Sequence, residues 1–584
     1  MNQKMKHLIL FLFLATFYFA KAQGFLHSEG QNIVDKHGKN VLLRGLGLGG
    51  WMVQEGYMLE TGDFAGPQHV IKQKIENLIG KENTKTFYDA YLANGITKRD
   101  IDSLAAWGFN SVRLPMHYNL YTPPIEDEKN DEITWIEKGF QMTDELLEWC
   151  EENKMYLILD LHAAPGGQGH DANISDYDET KPSLWESEAN REKMIALWRK
   201  LAERYKDKPW IGGYDIINEP NWNFAGENKN GCDETSNAPL RKLMVDVTNA
   251  IREVDKNHMI VIEGNCWGNN YEGIFPVWDD NMVLSFHKYW NYNTMASIQK
   301  MLDYREQHNI PIWLGESGEN SNVWFKDAIN LVESNNIGWA FWPMKKVENI
   351  AGVTSVTKNP EFEIIQKYWE TGENKPSVEF SKNALMQLAE NYKMEHLTIK
   401  PDVIDAMFRQ VNTNATKPFK KHKIPGIIYA TDYDLGTHGY AYQDKDFINY
   451  RVNTGIQGSW NKGKKMRNDG VDIQICKDEN SNGYEIFDIQ DGEWLQYTVT
   501  AQTKDTYIIT IRYSNNGTEG KLHLENDKKH LSKKLTLPVT TNNKTNYDIV
   551  TFSNVKLAKG ENKIKVVFDK GGFILNYLEF KRNL

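Results

Sequence analysis

Eight short apolar runs recur along the chain, at residues 41–46, 111–114, 156–162, 214–218, 259–264, 283–287, 311–316 and 338–342, and amphipathic stretches of helical period separate most of them. Runs of this length bounded by polar turns read as buried strands, and their alternation with helices predicts a parallel sheet. Eight such units are the number that closes a (β/α)8 barrel. An open doubly wound sheet is the alternative, but it requires a Gly-rich phosphate turn that feeds a helix, and no convincing helical pattern follows Gly45-Leu46-Gly47-Leu48-Gly49-Gly50. Most runs end in a polar or ionisable side chain: Arg113, His162, Asn218 with Glu219, Glu263, His287 and Glu316. Strand ends share one face of a barrel, so these groups are expected to converge on one pocket.

At 584 residues the chain is longer than one barrel, and its pattern changes after Trp342. Phe362, Ile365, Tyr368 and Trp369, then Leu385, Leu388 and Tyr392, fall at helical spacing and read as helices packed on the barrel. Residues 412–425 contain Asn, Thr, Pro and four Lys with almost nothing apolar, which is linker composition. From there to residue 584, alternating runs between Asn/Gly/Asp turns predict an all-β sandwich of jelly-roll type. The expected order is a barrel domain over 23–370, a helical extension over 371–411, the linker over 412–425 and the sandwich over 426–584.

Lys4 and Lys6 precede an apolar run at 8–20, and Ala20 and Ala22 stand at the two positions a signal peptidase reads. Residues 1–22 are therefore expected to be a signal peptide, and the remainder to be exported to the periplasm, the cell surface or the medium. No stretch is long and apolar enough to predict a membrane span. With 68 Lys+Arg against 79 Asp+Glu the net charge is −11, which disfavours phosphate backbones and so nucleic acid as a partner. Cys150, Cys232, Cys266 and Cys476 are too few for a disulfide framework and form no CxxC pair, though one bridge in the N-terminal half is compatible with their positions.

Two carboxylates carry the chemical argument: Glu219 in Asn218-Glu219-Pro220 and Glu316 in Leu314-Gly315-Glu316-Ser317. Each follows a buried run closely, where a carboxylate needs a partner or a function. Glycoside hydrolysis needs such a pair, one protonated and one ionised. Structural ion pairs at the barrel rim are the plainer alternative.

These motifs resemble glycoside hydrolase family 5 over roughly residues 24–370. Arg113 in Val112-Arg113-Leu114-Pro115, His162 in Asp160-Leu161-His162, His287 and Tyr289 in Phe286-His287-Lys288-Tyr289, and Trp342 add to the resemblance. The stretches from Arg44 to Glu55 and from Leu161 to Gln168 are similar to the exo-β-1,3-glucanase branch. The resemblance implies Glu219 as acid/base and Glu316 as nucleophile, with Glu55, Arg113, His162, Asn218, His287, Tyr289 and Trp342 binding substrate. Arg113 can keep Glu316 ionised, Tyr289 can donate to it, Asn218 can hold the sugar 2-hydroxyl, and Trp342 offers a floor for the ring. Glu263 reads equally well as a supporting carboxylate and is left out of that set. Trp51, Trp267 and Trp290 could be sugar platforms or packing groups, and the loop bearing Gln168, His170, Asp171 and Asn173 could line an outer subsite. No metal or other cofactor is expected.

Residues 424–584 resemble carbohydrate-binding module family 6 through Ala430-Thr431-Asp432-Tyr433-Asp434, Gly470-Val471-Asp472-Ile473, Asp491-Gly492-Glu493-Trp494 and Asn576-Tyr577-Leu578. Tyr484 can serve as one sugar-stacking aromatic. Asn542-Asn543-Lys544 and Ile574 stand where the second aromatic and an asparagine are expected, and Thr431 replaces a glutamate that commonly ligates calcium. The whole reads as a secreted, monomeric, retaining β-glucan hydrolase with β-1,3-glucan preferred, acting on poly- or oligosaccharides by double displacement. An endo-β-1,4-glucanase or mannanase is the alternative enzyme; a non-catalytic polysaccharide-binding protein is the alternative of another class.

Overall fold

The computed structural model describes residues 24–129, 132–450, 460–515, 517–526, 529–540 and 546–583, so the expected signal peptide lies outside the described residues. Eight parallel strands close into a barrel: β1 (Arg44–Gly47), β2 (Ser111–His117), β3 (Tyr156–Ala163), β4 (Ile211–Asp215), β5 (Met259–Glu263), β6 (Met282–Tyr289), β7 (Ile312–Gly318) and β8 (Trp339–Trp342). β8 pairs with both β7 and β1 and closes the ring. β2 and β3 are buried along their whole length, as strands covered on both faces must be, which is why they appear as unbroken apolar runs.

β4 ends three residues before the end of its apolar run, at Asp215 rather than Asn218. Its first residues include Gly212 and Gly213, which carry no side chain to mark a strand. Its ladder with β5 runs to Asp215 opposite Val261, and the Ile216 amide still bonds the Val261 carbonyl at 3.1 Å. The chain then turns outward, and Glu219 sits in the left-handed region at φ 42°. The pair Asn218-Glu219 therefore lies on a bent strand exit.

Helices Pro360–Thr371, Val378–Asn391 and Pro401–Phe408 complete the outer layer of the barrel. Phe408 meets Phe109 edge-on with ring centres 4.9 Å apart, and Leu385, Leu388 and Val403 join the barrel core.

The C-terminal domain has two mainly antiparallel sheets around a second apolar core that includes Ile428, Tyr497, Ile511, Val566 and Phe580. The segment expected to be a linker is part of this sandwich. Lys417 and Leu435 exchange backbone hydrogen bonds at 2.9 and 2.7 Å, and His422–Ile424 pairs with Trp494–Ala501. Lys421 and Lys423 point outward while His422 and Ile424 are buried, a lysine-guarded edge strand whose alternation is too short to stand out.

The two cores are joined by buried polar groups. Asn322 donates to Asp402 at 3.0 Å and to Asp469 at 2.9 Å. The Asn468 amide donates to Asp402 at 2.7 Å, and its side chain donates to the Asn320 carbonyl at 2.8 Å. Tyr292 and Tyr450 touch beside them, ring centres 4.6 Å apart.

Candidate active site

A cleft of about 1190 Å³ opens at the C-terminal ends of the barrel strands, lined among others by Glu55, Tyr57, His162, Glu219, His287, Tyr289, Glu316 and Trp342. Arg113, fully buried on β2, organises its floor. Its guanidinium donates to Asp215 at 2.9 Å, Glu316 at 3.0 Å, Asn218 at 2.8 Å and Glu263 at 3.0 Å, and Asp160 lies 3.2 Å away. Burial opposes the cation, but the surrounding carboxylates outweigh it and hold Arg113 charged. Asp215 in turn is pushed well above the usual carboxylate range by burial and by its neighbours Glu263 and Asp160.

The two glutamates have unlike surroundings. Glu316 receives the Tyr289 hydroxyl on one oxygen at 2.8 Å and Arg113 on the other. Glu219 has its backbone amide on Glu263 at 2.7 Å and one carboxylate oxygen 2.6 Å from His287 Nδ1. Burial raises the Glu219 pKa, the charges of Glu316 and Glu263 raise it further, and His287 opposes them. His287 reaches three carboxylates: Glu219, Glu263 at 3.1 Å and Glu316 at 3.6 Å. One ligating atom from each of Glu219, His287 and Glu316 lies within 4.8 Å of the others, a spacing that could also surround a cation, although Arg113 and Tyr289 already occupy both Glu316 oxygens.

His162 is gripped by Asp160 at 2.8 Å and stacks on Trp342 with ring centres 5.2 Å apart. Burial opposes its charge, but Asp160 and Glu55 raise its pKa to about 10. Glu55 faces it at 3.5 Å and is pushed up to about 7 by burial against that cation. The Gln168 amide bonds the carbonyls of His162 and Asn218, at 2.7 and 2.8 Å, and ties the two strand exits together. The Trp342 indole donates to the Tyr57 hydroxyl at 2.8 Å, and its ring lies over Gly47 and Gly49, where an added Cβ would sit 2.5 Å from it. The Gly-rich run of β1 makes room for an aromatic floor.

The structure thus brings Glu55, Arg113, His162, Asn218, Glu219, His287, Tyr289, Glu316 and Trp342 together. Glu263, left out of the expected set, bonds Arg113 and Glu219 and lies beside His287; its place at a strand end was the signal for it. Tyr57, in the short 3-10 helix Gly56–Leu59, and Lys346, on a loop and paired with Glu319 at 2.6 Å, carry no mark in the sequence because neither ends a strand. Trp267 and Trp290 line the cleft, whereas Trp51 is buried with its indole bonded to the Leu92 carbonyl at 2.7 Å. Asp171 and Asn173 reach the cleft; His170 stacks on Trp222 with ring centres 3.9 Å apart, and Gln168 is buried. Cys232 and Cys266 form a disulfide next to Trp267. Tyr484 is half-buried against the sandwich core and does not line the cleft.

Residues 71–347 match the family model "Cellulase (glycosyl hydrolase family 5)". Residues 467–580 match "Carbohydrate binding module (family 35)", which corrects the expected family 6. The motifs behind that expectation build the sandwich itself: Asp491 accepts the Gly571 amide at 2.8 Å, and Gly492 takes a positive φ of 88°. The chain is 27% identical over 375 residues to a beta-xylosidase of Phanerodontia chrysosporium, covering 58% of this chain and 74% of that protein. It is 25% identical over 366 residues to endoglucanase C of Acetivibrio thermocellus, covering 52% and 91%. To a probable glucan 1,3-beta-glucosidase A of Aspergillus fumigatus it is 24% identical over 252 residues, covering 43% and 56%.

Proposed function

We propose that this glycoside hydrolase, a family 5 barrel joined to a family 35 carbohydrate binding module, is an exported retaining β-glucanase that prefers β-1,3-glucan. The observation that supports the mechanism is the unlike pair: an oxygen of Glu219 lies within 4.8 Å of an oxygen of Glu316, and one carboxyl is raised in pKa while the other is held by two donors. Retaining enzymes set their carboxyl groups about 5–5.5 Å apart and inverting ones about 6.5–9.5 Å, and so close an approach of the two side chains favours the retaining arrangement. Glu316 attacks the anomeric carbon while Glu219 gives its proton to the departing oxygen. A covalent glycosyl-enzyme forms, and Glu219, now ionised, takes a proton from the water that releases the sugar. Asn218, fixed through its Oδ1 by Arg113 and with its amide nitrogen 3.5 Å from His162 Nε2, can present an amide hydrogen to a sugar hydroxyl.

The β-1,3 preference rests on the resemblance of residues 44–55 and 161–168 to exo-β-1,3-glucanases and on the glucan 1,3-beta-glucosidase relative. The endoglucanase relative supports a second reading, an endo-acting β-1,4-glucanase with the same two glutamates. Export agrees with the Cys232–Cys266 disulfide, a bond that persists in oxidising compartments.

Incubation with laminari-, cello-, xylo- and manno-oligosaccharides, with product sizing and NMR of the first anomer released, tests both linkage and mechanism. We expect fastest cleavage of the laminari series and β-configured product. Glu316→Ala should lose turnover on every substrate, while Glu219→Ala should keep slow turnover of aryl glycosides whose leaving group needs no proton. A first product of inverted configuration overturns the mechanism.

A further inference from the structure

The cleft is not built by the barrel alone: Asn449, Trp460 and Lys464, all from the C-terminal domain, stand in its wall. Trp460 is half-buried, packs against the barrel core, and its indole N–H donates to Asn468 at 2.9 Å. Asn468 is fully buried and bonds the barrel at Asn320, Asn322 and Asp402. The Asn449 carbonyl accepts from Asn320 at 2.7 Å, and Lys465 reaches Glu348 at 3.3 Å. Asn320 follows β7, which carries Glu316, and Glu348 follows β8, which ends at Trp342. The indole is therefore tied through Asn468 to the exit of the strand that carries Glu316, while the nearby Lys465 reaches the segment after Trp342.

From this arrangement we infer that Trp460 is a sugar platform of the catalytic cleft, and that the C-terminal domain serves the active site directly. It would hold one unit of a sugar chain that runs through the same cleft as Trp342. A flat apolar face already fixed by packing and by its own hydrogen bond loses little freedom when a ring's C–H face stacks on it. Trp460 then contributes to binding substrates long enough to reach it. The inference rests on the barrel being a glycosidase and not on its linkage.

The test uses the full chain and the oligosaccharide series it cleaves best, from two units to five, alongside the matching aryl monoglycoside. Trp460→Ala should lower the ratio of kcat/KM for the tetrasaccharide to that for the monoglycoside about tenfold, mainly through KM. Trp460→Phe, which keeps a flat face, should restore most of it. An equal loss at every substrate length would mean a structural role, and an unchanged ratio would mean that no sugar reaches the indole; either overturns the inference. A wrong linkage shows itself separately, as another series being cleaved best.

Discussion

Arg113 is the residue on which the site depends most, because four carboxylates and one amide converge on a single buried guanidinium. Arg113→Ala would leave buried charges without a counter-ion, a change that typically costs about 3–5 kcal/mol; chemical denaturation should read a loss of that order. Arg113→Lys keeps the charge but not the planar fork, so it should fold better than the alanine variant and still turn over poorly. With Glu219 proposed as the acid, its carboxyl allows a prediction with a sign. His287 lowers the Glu219 pKa and Glu263 raises it, and activity is lost as pH rises through that pKa because the proton for the leaving group goes. His287→Gln should move the alkaline limb of the rate profile to higher pH, and Glu263→Gln should move it to lower pH. Shifts in the same direction would show that another group sets the limb. Glu55, raised from an unfolded value near 4.3 to about 7, stabilises the fold fully below pH 4 and progressively less as pH rises through 7. Relative to Glu55→Gln, the wild type should lose about 3 kcal/mol of stability between pH 4 and 8 by calorimetry.

Among the elements, β1 and β8 act as a pair, since Gly47 and Gly49 face the indole that ends β8. Gly47→Ala puts a methyl 2.5 Å from the Trp342 ring, and the floor must move. Kinetics with short substrates should show kcat/KM falling about a hundredfold, the scale expected when a misplacement of about 1 Å reaches reacting groups. The strand exits show why much of this was legible in the sequence. Barrel strands are buried on both faces, so they appear as apolar runs, and the polar residue that ends each run must point at the mouth. His162, His287 and Glu316 could be placed by that rule, whereas Arg113 stands in the middle of β2, which runs on to His117, and reaches the floor from below. The rule loses accuracy at β4, where glycines hide the strand start and the chain bends before Glu219. It says nothing about residues between the strands, so Tyr57 in its 3-10 turn and Lys346 on its loop have no mark. Nor could the Gly-rich run be understood before its partner, almost 300 residues away, was seen above it.

For the molecule as a whole, the question is whether the two cores unfold as one. Linker composition argued for independence, but Asn322, Asp402, Asn468 and Asp469 form a buried network across the junction, and each needs its partners from the other side. These residues look like ordinary loop polars in the sequence, and Asn468 is 148 positions from Asn320, so composition could not reveal them. A buried polar group that loses its partner costs about 1–3 kcal/mol, and several are shared here. Scanning calorimetry of the full chain should therefore give one transition, and Asp402→Ala should lower its midpoint without splitting it. Two separate transitions would restore the independent picture.

The shared junction also bears on how such a protein can be re-engineered or can exchange parts in evolution. A sugar-binding domain on a loose tether can be replaced by another, because nothing on the catalytic side is shaped to it. Here the boundary runs through Asn320, Asn322 and Asp402, and a foreign sandwich would leave those groups bare and remove Trp460 from the wall of the cleft that holds Glu316. The transferable unit is the barrel with its own sandwich. A chimera cut near residue 421 should be less soluble and poorer on long substrates than either parent, whatever the sugar affinity of the domain grafted in.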